Sequence, residues 1–344
     1  MNMRKIRVGI TGYGTIGRRV ADAVARQPDM ELVGIAKVRP DYKARLIAER
    51  GYPLYGADEE SLAALRAAGL PARGVVADLV AGCDVVVDTL PPKQASRLLP
   101  IYQASEARVI FQGGEPAGIA EVSFNAQSNY EAAVGRRTVR VVSCNTTGLC
   151  RALGTIDRAF GVEKARVVLA RKATDPDDPD TGPVDAVVLD PAPAQLPSHH
   201  GRSVATVLPH LKVISMAAKV PTTHAHFHSL LITVKDRNVT AGAVVRAFEE
   251  ATRVVLLDSR EGFRSTAQVF DYARELGRSR SDLYELAVWR DSVTVVDDEV
   301  YFFMAVHQEA IVIPENVDAI RAVTGTMDRD ESIRLTNRTL GILK

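Results

Sequence analysis

An α/β fold in two domains is predicted by three observations: a strand-to-helix passage built round Gly12-Tyr13-Gly14-Thr15-Ile16-Gly17, short buried strands at α/β spacing after it, and longer, paired-looking strands beyond residue 160. With 344 residues the chain is long enough for two cores. The expected division is residues 1–142 with 313–344 for a parallel-sheet domain, and residues 143–312 for an α+β domain with a mainly antiparallel sheet. Lys plus Arg (43) balances Asp plus Glu (42), so no broad basic field exists for a nucleic-acid partner, and an anionic ligand must be met by local groups. Three cysteines, Cys83, Cys144 and Cys150, make no disulfide framework and fit a reducing compartment, read as the cytoplasm. No apolar run of the roughly 20 residues that span a membrane is present, and no secretory signal is read at Met1-Asn2-Met3-Arg4-Lys5.

The elements follow in order. Ile6 to Thr11 reads as a buried strand and Arg18 to Ala25 as a helix, which puts G-x-G-x-x-G in the context of a Rossmann-type dinucleotide-binding turn. Gly12 makes the tight turn, Gly14 lets the backbone approach a pyrophosphate, and Gly17 lets helix pack on strand. The second strand, Glu31 to Lys37, ends where NAD-preferring sites carry an acid; Lys37 stands there instead, with Arg39 nearby. A cation there predicts NADP as the preferred cofactor, with NAD accepted. Val75-Val76 leads into a short helix, and Cys83 to Leu90 and Arg108 to Phe111 are further strands. Their loops, Thr89-Leu90-Pro91-Pro92 and Gln112-Gly113-Gly114-Glu115, fall at the carboxyl ends of parallel strands, where such sheets bind ligands.

Val142-Ser143-Cys144-Asn145-Thr146-Thr147-Gly148-Leu149 places a thiol where the strand Thr138 to Val142 gives way to a helix. Asn145, Thr146 or Thr147 is the expected cap. A helix start favours a thiolate and draws a cysteine down from about 8.5, toward nucleophilic chemistry at neutral pH; a buried structural cysteine is the alternative. Beyond it, Ala165 to Arg171, Lys212 to Met216 and His224 to Lys235 read as antiparallel strands, with further strands near 285–307 and helices near 241–252 and 267–276. His224, His226 and His228 alternate along one strand and so share a face, roughly 7 Å apart in successive steps. Three such histidines suit a metal, but no second carboxylate or cysteine cluster accompanies them, and no metal is expected. A general base for Cys144 is the better reading, and any of the three can fill it. Pro197 to Arg202 reads as a loop rich in anion donors, and Arg171-Lys172 ends a strand as a candidate phosphate or cofactor contact. Thr174 to Asp180 reads as an acidic, solvent-exposed loop. Val317 to Leu343 reads as helix broken near Thr324, a tail placed to pack back on the first domain's sheet.

Taken together, Gly12 to Gly17, Phe111-Gln112-Gly113-Gly114-Glu115, Ser143-Cys144-Asn145-Thr146-Thr147-Gly148-Leu149, Pro197-Ser198-His199-His200, Pro221-Thr222-Thr223 with the histidines after it, and Ala305-Val306-His307-Gln308-Glu309 give the chain a resemblance over nearly its whole length to the archaeal-type phosphorylating glyceraldehyde-3-phosphate dehydrogenases. The resemblance implies Cys144 as nucleophile, Ser143 and Asn145 beside it in the substrate site, and His199 and His200 on substrate or inorganic phosphate. It implies Thr15, Ile16, Gly113, Arg171 and Gln308 as cofactor contacts, and it matches His226 best to the catalytic histidine, His224 standing where an apolar residue is usual. It also implies a homotetramer working on a phosphorylated aldehyde in glycolysis or gluconeogenesis. Two rivals share these residues: a semialdehyde or acyl-phosphate reductase of amino-acid biosynthesis, and a non-catalytic nucleotide-binding redox regulator.

Overall fold

A computed structural model describes residues 4–92, 94–112, 114–173 and 186–343, which leaves Gly113 and the acidic stretch Thr174 to Asp180 outside the described residues. The chain divides into two compact units: Met1–Ala126, Tyr130–Val141 and Ile313–Leu340 form one, and Gln127–Asn129, Val142–Val312 and Gly341–Lys344 the other.

Eight strands build the first unit's sheet among the described residues: β1 (Ile6–Thr11), β2 (Met30–Lys37), β3 (Leu54–Gly56), β4 (Ala72–Val75), β5 (Val85–Asp88), β6 (Arg108–Phe111), β7 (Val122–Phe124) and β8 (Thr138–Val141). They run in the order β4-β3-β2-β1-β5-β6-β8-β7, and every pairing is parallel. Parallel strands need crossovers and are covered on both faces, which accounts for near-continuous apolar runs such as Val85-Val86-Val87. The chain order reverses between β1 and β5, the switch point at which doubly wound sheets open a ligand crevice. The helix Ile313–Thr324, buried along almost its whole length, packs on β5, β6, β8 and the helix Gly17–Ala25. Its Arg321 is wholly buried and meets Asp29 through two hydrogen bonds of 2.7 and 2.8 Å and Gln27 through one of 2.8 Å, tying the chain's late helix to its first crossover.

The second unit's sheet comprises β9 (Val162–Lys172), β10 (Val188–Leu189), β11 (Val213–Val220), β12 (His226–Val234), β13 (Val254–Leu257), β14 (Leu286–Trp289), β15 (Thr294–Val296) and β16 (Glu299–Val306). Its order is β10-β11-β9-β12-β16-β14-β13, with β15 beside β16. The sheet is mixed. β9 pairs with β11 in parallel, contrary to the antiparallel pairing expected from the sequence, because the connection includes the helix His199–Ala205 and returns the chain to the same edge. β13 and β14 are also parallel; the other pairings are antiparallel. The helix Cys144–Phe160 packs across β9, β12, β14 and β16. Along β12 burial alternates: His226, His228, Leu230, Ile232 and Val234 are buried, while the residues between them are only half covered.

Candidate active site

The helix that carries the thiol starts earlier than its sequence suggests. Its first residue is Cys144 and its N-cap is Ser143, whose extended backbone precedes the first turn; Asn145, Thr146 and Thr147, the expected caps, already lie inside the helix and are buried. Ser143 Oγ meets Thr146 Oγ1 at 3.0 Å, and the Thr147 N–H donates to Ser143 O at 2.8 Å. The sulfur therefore sits in the first turn, where the Asn145 N–H donates to it.

Cys144 Sγ lies 3.6 Å from His226 Nε2. Nδ1 of the same ring accepts the Lys172 backbone N–H at 2.9 Å. An amide can only donate there, so the neutral imidazole carries its proton on Nε2 and directs it at the sulfur. His228, the next residue on the same face, places Nε2 at 2.8 Å from Asn145 Oδ1, and its ring stacks 6.4 Å from that of His226. Asn145 is thus held by a histidine and lies beside the thiol. His224 does not belong to the group. It precedes β12, and its ring rests edge-on against Phe270 with centroids 5.2 Å apart, so the shared face expected of three histidines holds for two.

Several cations and buried polar groups surround the pair. Arg171 forms an ion pair with Asp190, and Lys172 forms one with Glu309, both partners being almost fully buried in the latter. Glu309 Oε2 lies 3.2 Å from His307 Nδ1, and the His307 ring stacks on Phe270 at 4.3 Å. His199 and His200 open the helix His199–Ala205 rather than lying in a loop. His200 is buried with Nδ1 3.1 Å from Ser198 Oγ, and the exposed His199 ring lies 3.9 Å from it. Gln308 is half-buried between His307 and Glu309. Among the described residues no group of three or more His, Cys, Asp or Glu side chains is placed to hold a metal.

Electrostatics overturn one expectation. Burial pushes the Cys144 thiol up to about 11, with Arg171, the Asn145 N–H and Lys172 pulling the other way, so the drop expected at a helix start is outweighed by desolvation. Burial likewise drives His226 and His200 well below the usual histidine value and His228 to about 3, with Arg171 adding to each shift. The four groups are thereby held in their uncharged forms, with the Arg171 charge acting on each. Burial raises Glu309, but His307 and Lys172 outweigh it and hold the carboxylate ionised.

In the first unit, Gly12 has a φ of +87° and a Cβ at Gly17 would meet Gly12 O at 2.3 Å and Thr89 Oγ1 at 2.5 Å, so this turn is a backbone cradle that side chains would fill. Thr89 Oγ1 donates to Thr11 O and Gly12 O, joining the loop after β5 to the glycine turn. The helix beyond begins at Gly17 with Ile16 at its cap, no capping side chain and no acid in its first turn, a start that favours a phosphate. These residues fit a dinucleotide. Gly14 and Thr15 lie in the same turn, Thr15 buried, and Lys37 closes β2. The links of Lys172 to His226 and to Glu309, 137 positions away, had no signal in the sequence, since no periodicity connects such residues.

Comparison with known proteins follows the same division. Residues 143–292 match the family described as glyceraldehyde 3-phosphate dehydrogenase, C-terminal domain, and residues 6–122 match dihydrodipicolinate reductase, N-terminus. Glyceraldehyde-3-phosphate dehydrogenase 2 of Methanosarcina barkeri is 48% identical over 341 residues, covering 99% of each chain. The enzyme so named from Thermococcus kodakarensis is 47% identical over 340 residues, covering 99% of this chain and all of the other. The crystal structure of aspartate semialdehyde dehydrogenase II from Vibrio cholerae, complexed with ASA, superposes with a TM-score of 0.65 over 93% of this chain and 97% of its own, at 11% identity, which shows a shared fold. By its similarity to relatives along nearly its entire length, the chain belongs to the glyceraldehyde-3-phosphate dehydrogenase family.

Proposed function

We propose that this protein catalyses the phosphorylating oxidation of D-glyceraldehyde 3-phosphate to 1,3-bisphosphoglycerate, with reduction of NADP in preference to NAD, in glycolysis or gluconeogenesis. The observation that carries the reading is the Cys144 Sγ to His226 Nε2 approach of 3.6 Å at the first turn of a helix. The Cys144 sulfur adds to the aldehyde carbon as the thiol's proton passes to the carbonyl oxygen, forming a hemithioacetal. Ser143 and Asn145 line the substrate position, and His199 and His200 bind the phosphate of the substrate or inorganic phosphate. Gly12, Gly14, Thr15, Ile16, Gly17, Lys37, Arg171 and Gln308 bind the cofactor, with Lys37 facing the 2′-phosphate; Arg171 also acts on the thiol through its charge. What a nicotinamide dinucleotide supplies when bound is a hydride acceptor.

His226 has two tasks on this reading. At rest its Nε2–H donates to the sulfur. As the base it takes the hydroxyl proton while hydride leaves the carbon and the carbonyl re-forms as a thioester. Taking that proton at Nε2 requires the ring to carry its other proton on Nδ1 and to give up the Lys172 amide, a cost of about 1–3 kcal/mol. Phosphate oxygen then attacks the thioester carbon, the C–S bond breaks, and thiolate and acyl phosphate separate.

The apolar residues Met216, Val168 and Phe303 lie exposed in one row across a sheet face, with Ser229 of β12 between the last two, which supports assembly into the homotetramer of the resemblance. No helix among the described residues is long and apolar enough to cross a membrane, in keeping with work in the cytoplasm. The test is phosphate-dependent NADPH formation from glyceraldehyde 3-phosphate, with aspartate semialdehyde as the competing substrate. Cys144→Ser abolishes turnover, while Cys150→Ser, altering a buried sulfur, retains it. Equal loss in both, or preference for aspartate semialdehyde, overturns the assignment.

A further inference from the structure

Lys37 closes β2 as an occupied cation. Its Nζ lies 2.6 Å from Asp41 Oδ2, with the lysine side chain 14% and the aspartate 36% exposed. The other carboxylate oxygen, Oδ1, accepts the Ala44 N–H at 3.0 Å and so caps the helix Tyr42–Glu49. One carboxylate thus serves two partners, and the helix cap fixes it in the place from which it holds the ammonium. Arg39, the other cation of this turn, is exposed.

We propose that Asp41 is a built-in competitor for Lys37 that restrains NADP preference and keeps NAD usable. The proposal rests on the reading of Lys37 as the 2′-phosphate contact. A 2′-phosphate brings nearly two negative charges to an ammonium already neutralised, and must displace the carboxylate and then lie against it. An NAD ribose offers a hydroxyl in that place, and the ion pair stays closed. Asp41 thereby taxes one cofactor and leaves the other unaffected, so the selectivity of the turn is set by the pair and falls below what Lys37 alone would give.

Asp41→Asn isolates the charge. Asparagine caps a helix as well as aspartate does, so an acceptor for the Ala44 N–H remains. Dissociation constants of NADP and NAD are measured by calorimetry on the substrate-free protein for the wild type, Asp41→Asn, Lys37→Gln and the double variant, at low and high salt. Asp41→Asn is expected to tighten NADP by about tenfold at low salt, to leave NAD within about twofold, and to steepen the salt dependence of NADP binding, because an unpaired cation is then exposed to the phosphate. In the double variant the gain shrinks, since no ammonium remains to be released. An unchanged NADP/NAD ratio in Asp41→Asn, equal tightening of both cofactors, or a full gain persisting in the double variant overturns the proposal. Lys37→Gln separates the failures: if it weakens NADP selectively while Asp41→Asn does nothing, the phosphate contact stands and the competitor falls. If neither changes the ratio, both fall.

Discussion

The resting protein keeps the Cys144 thiol protonated. Desolvation pushes its thiol up to about 11, and the groups that oppose this, Arg171 first among them, do not restore it to an ordinary value. The thiolate fraction below that value grows tenfold per pH unit, so alkylation of Cys144 by iodoacetamide in the cofactor-free protein is expected to accelerate about tenfold per unit from pH 6 to 9 without a plateau. Arg171→Met, by removing the cation that most lowers the thiol, slows the reaction at each pH. Peptide mapping of the labelled thiol follows both rates; a plateau below pH 8 would show a thiolate already formed and contradict the desolvation account. At this scale the sequence revealed where the chemistry-bearing side chains stand better than how they are charged. A strand-to-helix thiol and alternating histidines are visible as patterns, whereas desolvation depends on what the whole unit packs over them. The same holds for the tautomer of His226, decided by the amide of Lys172 on the neighbouring strand.

Among the elements, the glycine turn is the one whose sequence most completely determines its geometry. Gly17 opens a helix directly beneath Gly12 O and Thr89 Oγ1, and a methyl group there has nowhere to go. Gly17→Ala is expected to cost about 1–3 kcal/mol of stability and to weaken dinucleotide binding by at least about tenfold, the turn being forced open where a pyrophosphate is to sit. Thermal melting and calorimetric titration with NADP check the two effects; unaltered affinity would remove the turn from the cofactor site. β1, β2, β5, β6 and β8 were legible because parallel strands buried on both faces leave continuous apolar runs, whereas the short β3, β4 and β7 leave none. The pairing of β9 with β11 was not, since strand direction is set by a long connection that leaves no mark on the strands themselves. His224 illustrates the limit of periodicity: it keeps the alternation of β12 but lies two residues before the strand begins, so its side chain is free to turn to Phe270.

At the scale of the whole molecule, chemistry is divided between two sheets. The first unit holds a glycine-lined backbone turn at its switch point and a charge-paired lysine at the end of β2; the second holds a thiol, two stacked histidines and a flanking set of buried ions. The late helix Ile313–Thr324 belongs to the first unit, so that sheet's cover is completed by chain that follows the second unit in sequence, and Arg321 with Asp29 closes the circuit. Apolar, intermittent periodicity near the C-terminus gave notice of the helix, while its partner Asp29 was invisible at a separation of 292 residues. The most direct measurement of the central claim is to trap the acyl enzyme: incubation with glyceraldehyde 3-phosphate and NADP in the absence of phosphate, an acid quench, and mass spectrometry of the digested protein. The account predicts a phosphoglyceryl thioester on the Cys144 peptide that phosphate discharges. NADPH formed with no adduct on Cys144, or an adduct on another residue that phosphate releases, would contradict it.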